Sequence, residues 1–122
     1  MATILIVEDN PANMKLAVFL LQDAGYTVIS AVDAEAGITL ARAEHPDLIL
    51  MDIQLPGMDG LAAIALLKQD ESTRSIPVIA LTALAMKGDE ARIREAGCEG
   101  YIAKPMRYRE MLATVAAQLG RV

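Results

Sequence analysis

The sequence predicts an α/β protein built on a doubly wound parallel sheet. Three observations predict it. Five short apolar runs alternate with five helix-like stretches over the 122 residues. The runs "ILIV", "LILM" and "VIAL" are apolar on both faces, as strands covered by helices on each side must be. The connections are short and the crossovers helical, which favours parallel pairing.

Each element follows in order. "TILIV" (3–7) is the first strand. Asn10 and Pro11 form an N-cap and N1 pair, and Met14, Ala17, Val18 and Leu21 fall on one helical stripe. Gly25 supplies the stop. "TVISA" (27–31) is the second strand. Asp33 caps a second helix running through Glu44, with Ile38 and Ala41 inward and Pro46 closing it. "DLILM" (47–51) is the third strand. Leu61, Ile64 and Leu67 or Lys68 mark the third helix. "PVIAL" (77–81) is the fourth strand, and 86–96 the fourth helix, stopped by Gly97. "GYIA" (100–103) is a short fifth strand, followed by a helix over 107–119 that ends at Gly120. No repeat or linker interrupts the pattern, so residues 1–122 are expected to form one domain.

Composition narrows the function. With 54% apolar and 22% charged residues the chain can bury a core. No apolar run approaches a membrane span, and "MATILIVEDN" lacks a signal peptide's basic start. The single cysteine, Cys98, excludes a disulfide framework or thiolate zinc cluster, and a cytoplasmic location is expected. A net charge of −5 with no basic stripe argues against direct nucleic-acid binding.

Ligands of open α/β sheets bind outside the carboxyl ends of the strands. The first strand ends in Glu8 and Asp9, the third in Asp52 and the fourth in Thr82; Lys104 and Pro105 follow the fifth. Three converging carboxylates repel one another, and a hard divalent cation resolves that conflict. A phosphoryl group beside such a cation leaves oxygens for Lys104 and Thr82. A carboxylate is also a nucleophile toward phosphorus, which gives Asp52 a role as acceptor. Pro56 and Gly57 free the loop after Asp52, so that backbone approaches the metal.

"ILIVEDN", "LILMDIQLPGMDG", "VIALTA" and "YIAKP" stand in an order and spacing that resembles the receiver domain of bacterial two-component response regulators. "NMKL", "MDIQLP" and "AMKGDEARIREAGCEGYIAKP" resemble the single-domain polar-differentiation and cell-division type, and such stretches also occur in receivers of hybrid histidine kinases. The resemblance implies a flavodoxin-like sheet of order 2-1-3-4-5. It implies that Asp52 accepts a phosphoryl group from a histidine kinase or phosphotransfer protein, with Mg2+ or Mn2+. Asp9, Asp52 and the backbone carbonyl of Gln54 would hold the metal, with Glu8 acting through water. Thr82 and Tyr101 would form the switch, Lys104 would bind phosphate, and Pro105 would be cis. Output to a downstream protein is expected through the face of the fourth helix, fifth strand and fifth helix. The protein is expected to be a monomer or weak dimer and not an enzyme with turnover. Met106 departs from the family, where many members carry Phe.

Duller readings stand beside these. Tyr101 could simply pack on the strand edge, His45 sits on the surface, and Cys98 is a small buried residue. Gln54 and Leu84 flank the path of a hydrolytic water. A rival reading is a magnesium-dependent aspartyl-phosphate phosphatase. Such enzymes need a second aspartate two residues beyond the nucleophile, where this chain has Gln54. A nucleotide module is disfavoured because "VEDNPAN" has neither a G-x-G-x-x-G nor a G-K-[ST] motif. The starting Met and lack of linkers favour a stand-alone regulator over a receiver cut from a hybrid kinase.

Overall fold

A computed structural model describes residues 2–55, 57–82, 87–104 and 107–120. Pro56, Leu84, Met86, Pro105 and Met106, named above, lie outside the described residues. The elements run β1 (Thr3–Val7), α1 (Pro11–Asp23), β2 (Thr27–Ala31), α2 (Ala34–Glu44), β3 (Leu48–Asp52), α3 (Gly60–Gln69), β4 (Val78–Thr82), α4 (Lys87–Glu95), β5 (Gly100–Ala103) and α5 (Tyr108–Leu119). The five strands are parallel in the order β2-β1-β3-β4-β5.

Burial follows position in the sheet. β3 and β4 are buried at every residue, and β1 at all but its first. The edge strands β2 and β5 are more exposed, with one buried residue each, Ala31 and Ile102. On one face, Leu5, Val7, Ile49, Met51, Val78 and Ala80 pack against Ile38 and Ala41 of α2, Ile64 and Leu67 of α3, and Ile93 of α4. On the other, Ile4, Ile6, Leu48, Leu50, Ile79, Leu81 and Ile102 meet Ala17 and Leu21 of α1 and Met111 and Val115 of α5. Burying such a side chain contributes about 1.5–3 kcal/mol each, so this two-sided core fixes which strand sits where.

The helix ends match their sequence signals. Asn10 Oδ1 accepts from Asn13 N at 3.0 Å, and Asp33 Oδ1 accepts from Ala36 N at 2.8 Å. α1 closes with Gly25 at φ +99° and a Tyr26 N to Leu21 O bond, a left-handed turn that glycine enters without strain. Arg107 stands at the cap of α5 without a side-chain bond, because its long side chain cannot fold back as Asn or Asp does. β3 and β4 each start one residue later than the sequence pattern suggests and include Asp52 and Thr82 as last residues. The register explains the added residues: Asp52 pairs with Leu81, and Ile53 N still donates to Leu81 O at 3.1 Å.

The chain must leave β3 abruptly after Asp52. Leu55 tucks back into the core and Asp59 Oδ1 caps α3, accepting from Leu61 N at 2.6 Å. Gly60 N then returns to Ile53 O at 3.2 Å. A Cβ on Gly60 would lie 2.2 Å from Asp52 O and 2.5 Å from Ile53 Cα. Only glycine lets α3 start this close to the strand end. Gly60→Ala should destabilise the fold by about 1–3 kcal/mol, since the clash is with backbone that cannot rotate away. Urea unfolding checks this, and an unchanged midpoint would contradict it.

Candidate functional site at the carboxyl edge of the sheet

β1 and β3 are adjacent and parallel, with Val7 opposite Met51, so their last residues arrive at one edge. Glu8 follows β1 and Asp52 ends β3. Both are buried, at 0% and 1% exposure, while Asp9 faces solvent. One carboxylate oxygen from each of Glu8, Asp9 and Asp52 lies within 4.8 Å of the other two.

Among the described residues a single cation enters this cluster. Lys104 Nζ lies 2.7 Å from Asp52 Oδ2 and 2.7 Å from Glu8 Oε1. The contact with Asp52 is a hydrogen bond. The contact with Glu8 is an ion pair without hydrogen-bond alignment, and Glu8 Oε1 has no hydrogen-bond partner among the described residues. The other Asp52 oxygen accepts from Gln54 N at 2.9 Å. Asp52 is thus held at both oxygens, one by the loop that follows it and one by the end of β5. Lys104 owes its position to the backbone, where its N donates to Thr82 O at 2.7 Å.

Burial pushes the Glu8 carboxyl above its ordinary range, and the neighbouring Asp52 adds to this, against the pull of Lys104. Burial pulls Lys104 down, but the Asp52 and Glu8 carboxylates beside it outweigh that and hold its ammonium above the usual value. One cation does not satisfy three clustered acids. The donor set is all oxygen, and one buried carboxylate oxygen lacks a hydrogen bond. That combination fits a hard divalent cation such as Mg2+.

Thr82 and Tyr101 share a sheet face. Ala80, opposite Tyr101, packs on the face that α2, α3 and α4 cover, and Thr82 lies two residues further along the same strand. Strand spacing puts their Cα atoms roughly 8 Å apart. Thr82 is buried and Tyr101 is 41% exposed. Of the site residues expected from sequence, Glu8, Asp9, Asp52 and Lys104 come together directly, with Gln54 supplying a backbone N–H. Thr82 adjoins them through Lys104, whereas Tyr101 stands apart on the edge strand. The sequence pattern carried no signal for the direct Glu8–Lys104 pair, because the partners lie on strands separated by two others.

The Glu8 carboxyl gives a pH dependence. A carboxyl whose folded pKa is raised holds its proton more tightly in the folded chain, so its contribution to stability is present below its ordinary pKa and fades as pH rises. In the presence of a chelator, wild-type stability should therefore fall as pH rises above the ordinary Glu value of 4.5. Lys104 does not contribute in that window, since its own raised value costs stability only above 10.5. Glu8→Gln stays neutral and should flatten the profile. Thermal unfolding across pH checks this; parallel wild-type and Glu8→Gln profiles would contradict it.

Comparisons with known proteins place the chain. The response regulator receiver domain family matches residues 4–116. The polar-differentiation response regulator DivK of Brucella ovis is 52% identical over 97% of this chain and 96% of its own length. The receiver domain of the sensor histidine kinase PA1611 from Pseudomonas aeruginosa, solved with a magnesium ion coordinated in its active-site cleft, has a TM-score of 0.91 at 36% identity, covering 98% of both chains. The signal receiver domain of a histidine kinase from Syntrophus aciditrophicus has a TM-score of 0.92 at 33% identity, covering 100% of this chain and 92% of its own. The chain belongs to the response regulator receiver domain family of two-component signalling, and its fold is the flavodoxin-like sheet of that family.

Proposed function

We propose that residues 1–122 act as one receiver unit in which Asp52 accepts a phosphoryl group from a sensor histidine kinase or phosphotransfer protein. The observation that carries this is the Asp52 carboxylate, buried at a strand end and held between Gln54 N and Lys104 Nζ inside an acid cluster. Asp9, Asp52, the Gln54 backbone carbonyl and, through water, Glu8 would hold Mg2+ (or Mn2+). When bound, the metal supplies charge neutralisation for the incoming phosphoryl oxygens. The magnesium in the related Pseudomonas receiver supports that assignment.

The protein's own groups do the rest. An Asp52 carboxylate oxygen forms the new P–O bond as the donor's P–N bond breaks, and the electron pair returns to the imidazole nitrogen. Gln54 N and Lys104 fix the carboxylate so that little reorientation is needed. Lys104 then turns from the carboxylate to a phosphoryl oxygen. Thr82 hydrogen-bonds another, and Tyr101 on the same sheet face moves inward into the space Thr82 leaves. Pro105 is read as cis. The altered face of α4, β5 and α5 is read by a downstream protein. Such a unit turns over no diffusible substrate and works in the cytoplasm as a monomer or weak dimer. Among the described residues no helix is long and apolar enough to cross a membrane.

Two populations of the Thr82–Tyr101 pair account for the switch. Taking an active state from about one in a hundred to ninety-nine in a hundred needs about 5.5 kcal/mol of differential interaction. Two charge-assisted bonds, from Thr82 and Lys104, supply about 1.5–3 kcal/mol each.

The test is labelling with acetyl phosphate, with and without Mg2+. Wild type should incorporate one phosphoryl group only with the metal, and Asp52→Asn should incorporate none. Normal labelling of Asp52→Asn would overturn the assignment. Steady hydrolysis of a phosphomonoester would instead favour the phosphatase reading that Gln54 speaks against.

A further inference from the structure

The end of the sheet opposite Asp52 holds a second ion pair, in which Lys68 is partly buried and Glu99 borders solvent. Lys68, in the last turn of α3, has a side chain only 16% exposed. Its ammonium has three donors and uses all of them: Arg74 O at 3.3 Å, Ile76 O at 2.8 Å and Glu99 Oε1 at 2.5 Å. The other Glu99 oxygen accepts from Val78 N at 2.7 Å, where β4 begins. Glu99 N donates to Val78 O at 2.9 Å, and β5 begins one residue later. One cation and one carboxylate thus join the end of α3, the start of β4 and the start of β5.

The same pair holds the end of α4. That helix has nine residues, too few to be stable unaided. Of its residues 91–95 only Ile93 is buried. Its C-terminus closes in a glycine turn: Gly97 N donates to Arg94 O, and Cys98 N to Ile93 O. Gly97 has φ +101°, and a Cβ there would lie 3.0 Å from Lys68 Cγ, so this turn rests on the Lys68 stem. Cys98 packs partly into the core beside it, its thiol pushed up to about 11 by burial and by the Glu99 charge.

We infer that the Lys68–Glu99 pair is the anchor of α4 and a positioning element for the signalling surface, acting from the far end of β4 and β5. β4 runs from this pair at Val78 to Thr82, about 13 Å away. β5 follows Glu99 directly and leads into Lys104. Both strands that carry switch groups therefore start at the pair and end at the phosphorylation site. A fixed lower end confines movement to the upper end and sets how easily α4 and Tyr101 shift. The switch half of the inference rests on the proposed function, whereas the anchor half does not.

Two variants test it. Glu99→Gln keeps an acceptor for Val78 N and removes the charge facing Lys68. Lys68→Met removes the ammonium and keeps the stem. In both, the amides of Gly97, Cys98 and Glu99 should exchange with solvent at least about tenfold faster, with those of Met14 and Gly37 changed less than about twofold. Acetyl phosphate should still label Asp52. The beryllium fluoride concentration that half-shifts the Tyr101 amide should change by at least about threefold. Acceleration spread evenly over all elements would show a general staple and overturn the inference, as would local acceleration with an unchanged Tyr101 midpoint. If wild-type Tyr101 ignores beryllium fluoride altogether, the switch reading of the proposed function fails, and the anchor stands or falls on the exchange pattern alone.

Discussion

One ammonium shared by two buried carboxylates organises the upper edge of this protein. Taking an ionised carboxylate out of water costs several kcal/mol, and Glu8 and Asp52 are both buried. Lys104 meets each at 2.7 Å and offsets part of that cost. It does not offset all of it, which is why the Glu8 carboxyl is pushed up and one of its oxygens is left without a hydrogen bond. A core optimised for stability would not hold such a cluster. Sites that bind charge late, on demand, tolerate it.

The sheet makes the cluster possible. Parallel strands deliver all their carboxyl ends to one edge, and the order β2-β1-β3-β4-β5 puts β1 and β3 side by side at its centre. Two-sided apolar burial pins those strands, so a charge at the last position of β3 cannot withdraw to solvent. The loop that follows adds the remaining restraint. Gly60 lets α3 begin against the strand end, and Gln54 N is thereby available to the Asp52 carboxylate.

Much of this was legible in the sequence. The central strands announced themselves as unbroken apolar runs, and Asn10 and Asp33 as caps. The strand-end residues identified the edge where the three carboxylates and Lys104 meet. What was not legible is long-range pairing. Glu8–Lys104 and Lys68–Glu99 join residues on elements far apart in sequence, and no periodicity encodes which charges meet. Strand ends were displaced by one residue because Asp52 and Thr82 are polar yet still occupy strand register. Lys68 read as an alternative to Leu67 on an apolar stripe. In the fold Leu67 is the core residue and Lys68 the partly buried cation beside it. Gly60 gave no sign of its steric role, since it opens a helix without a left-handed φ.

The shared ammonium is tested most directly by a double-mutant cycle between Lys104→Met and Asp52→Asn, with stability measured by urea unfolding in the presence of a chelator. Removing Lys104 alone leaves Asp52 buried and unpaired as an ion, so its cost should shrink once Asp52 is neutral. The account predicts a coupling of about 0.5–3 kcal/mol between the two positions. Additivity within about 0.3–0.5 kcal/mol would contradict it, because the two groups would then be stabilised independently.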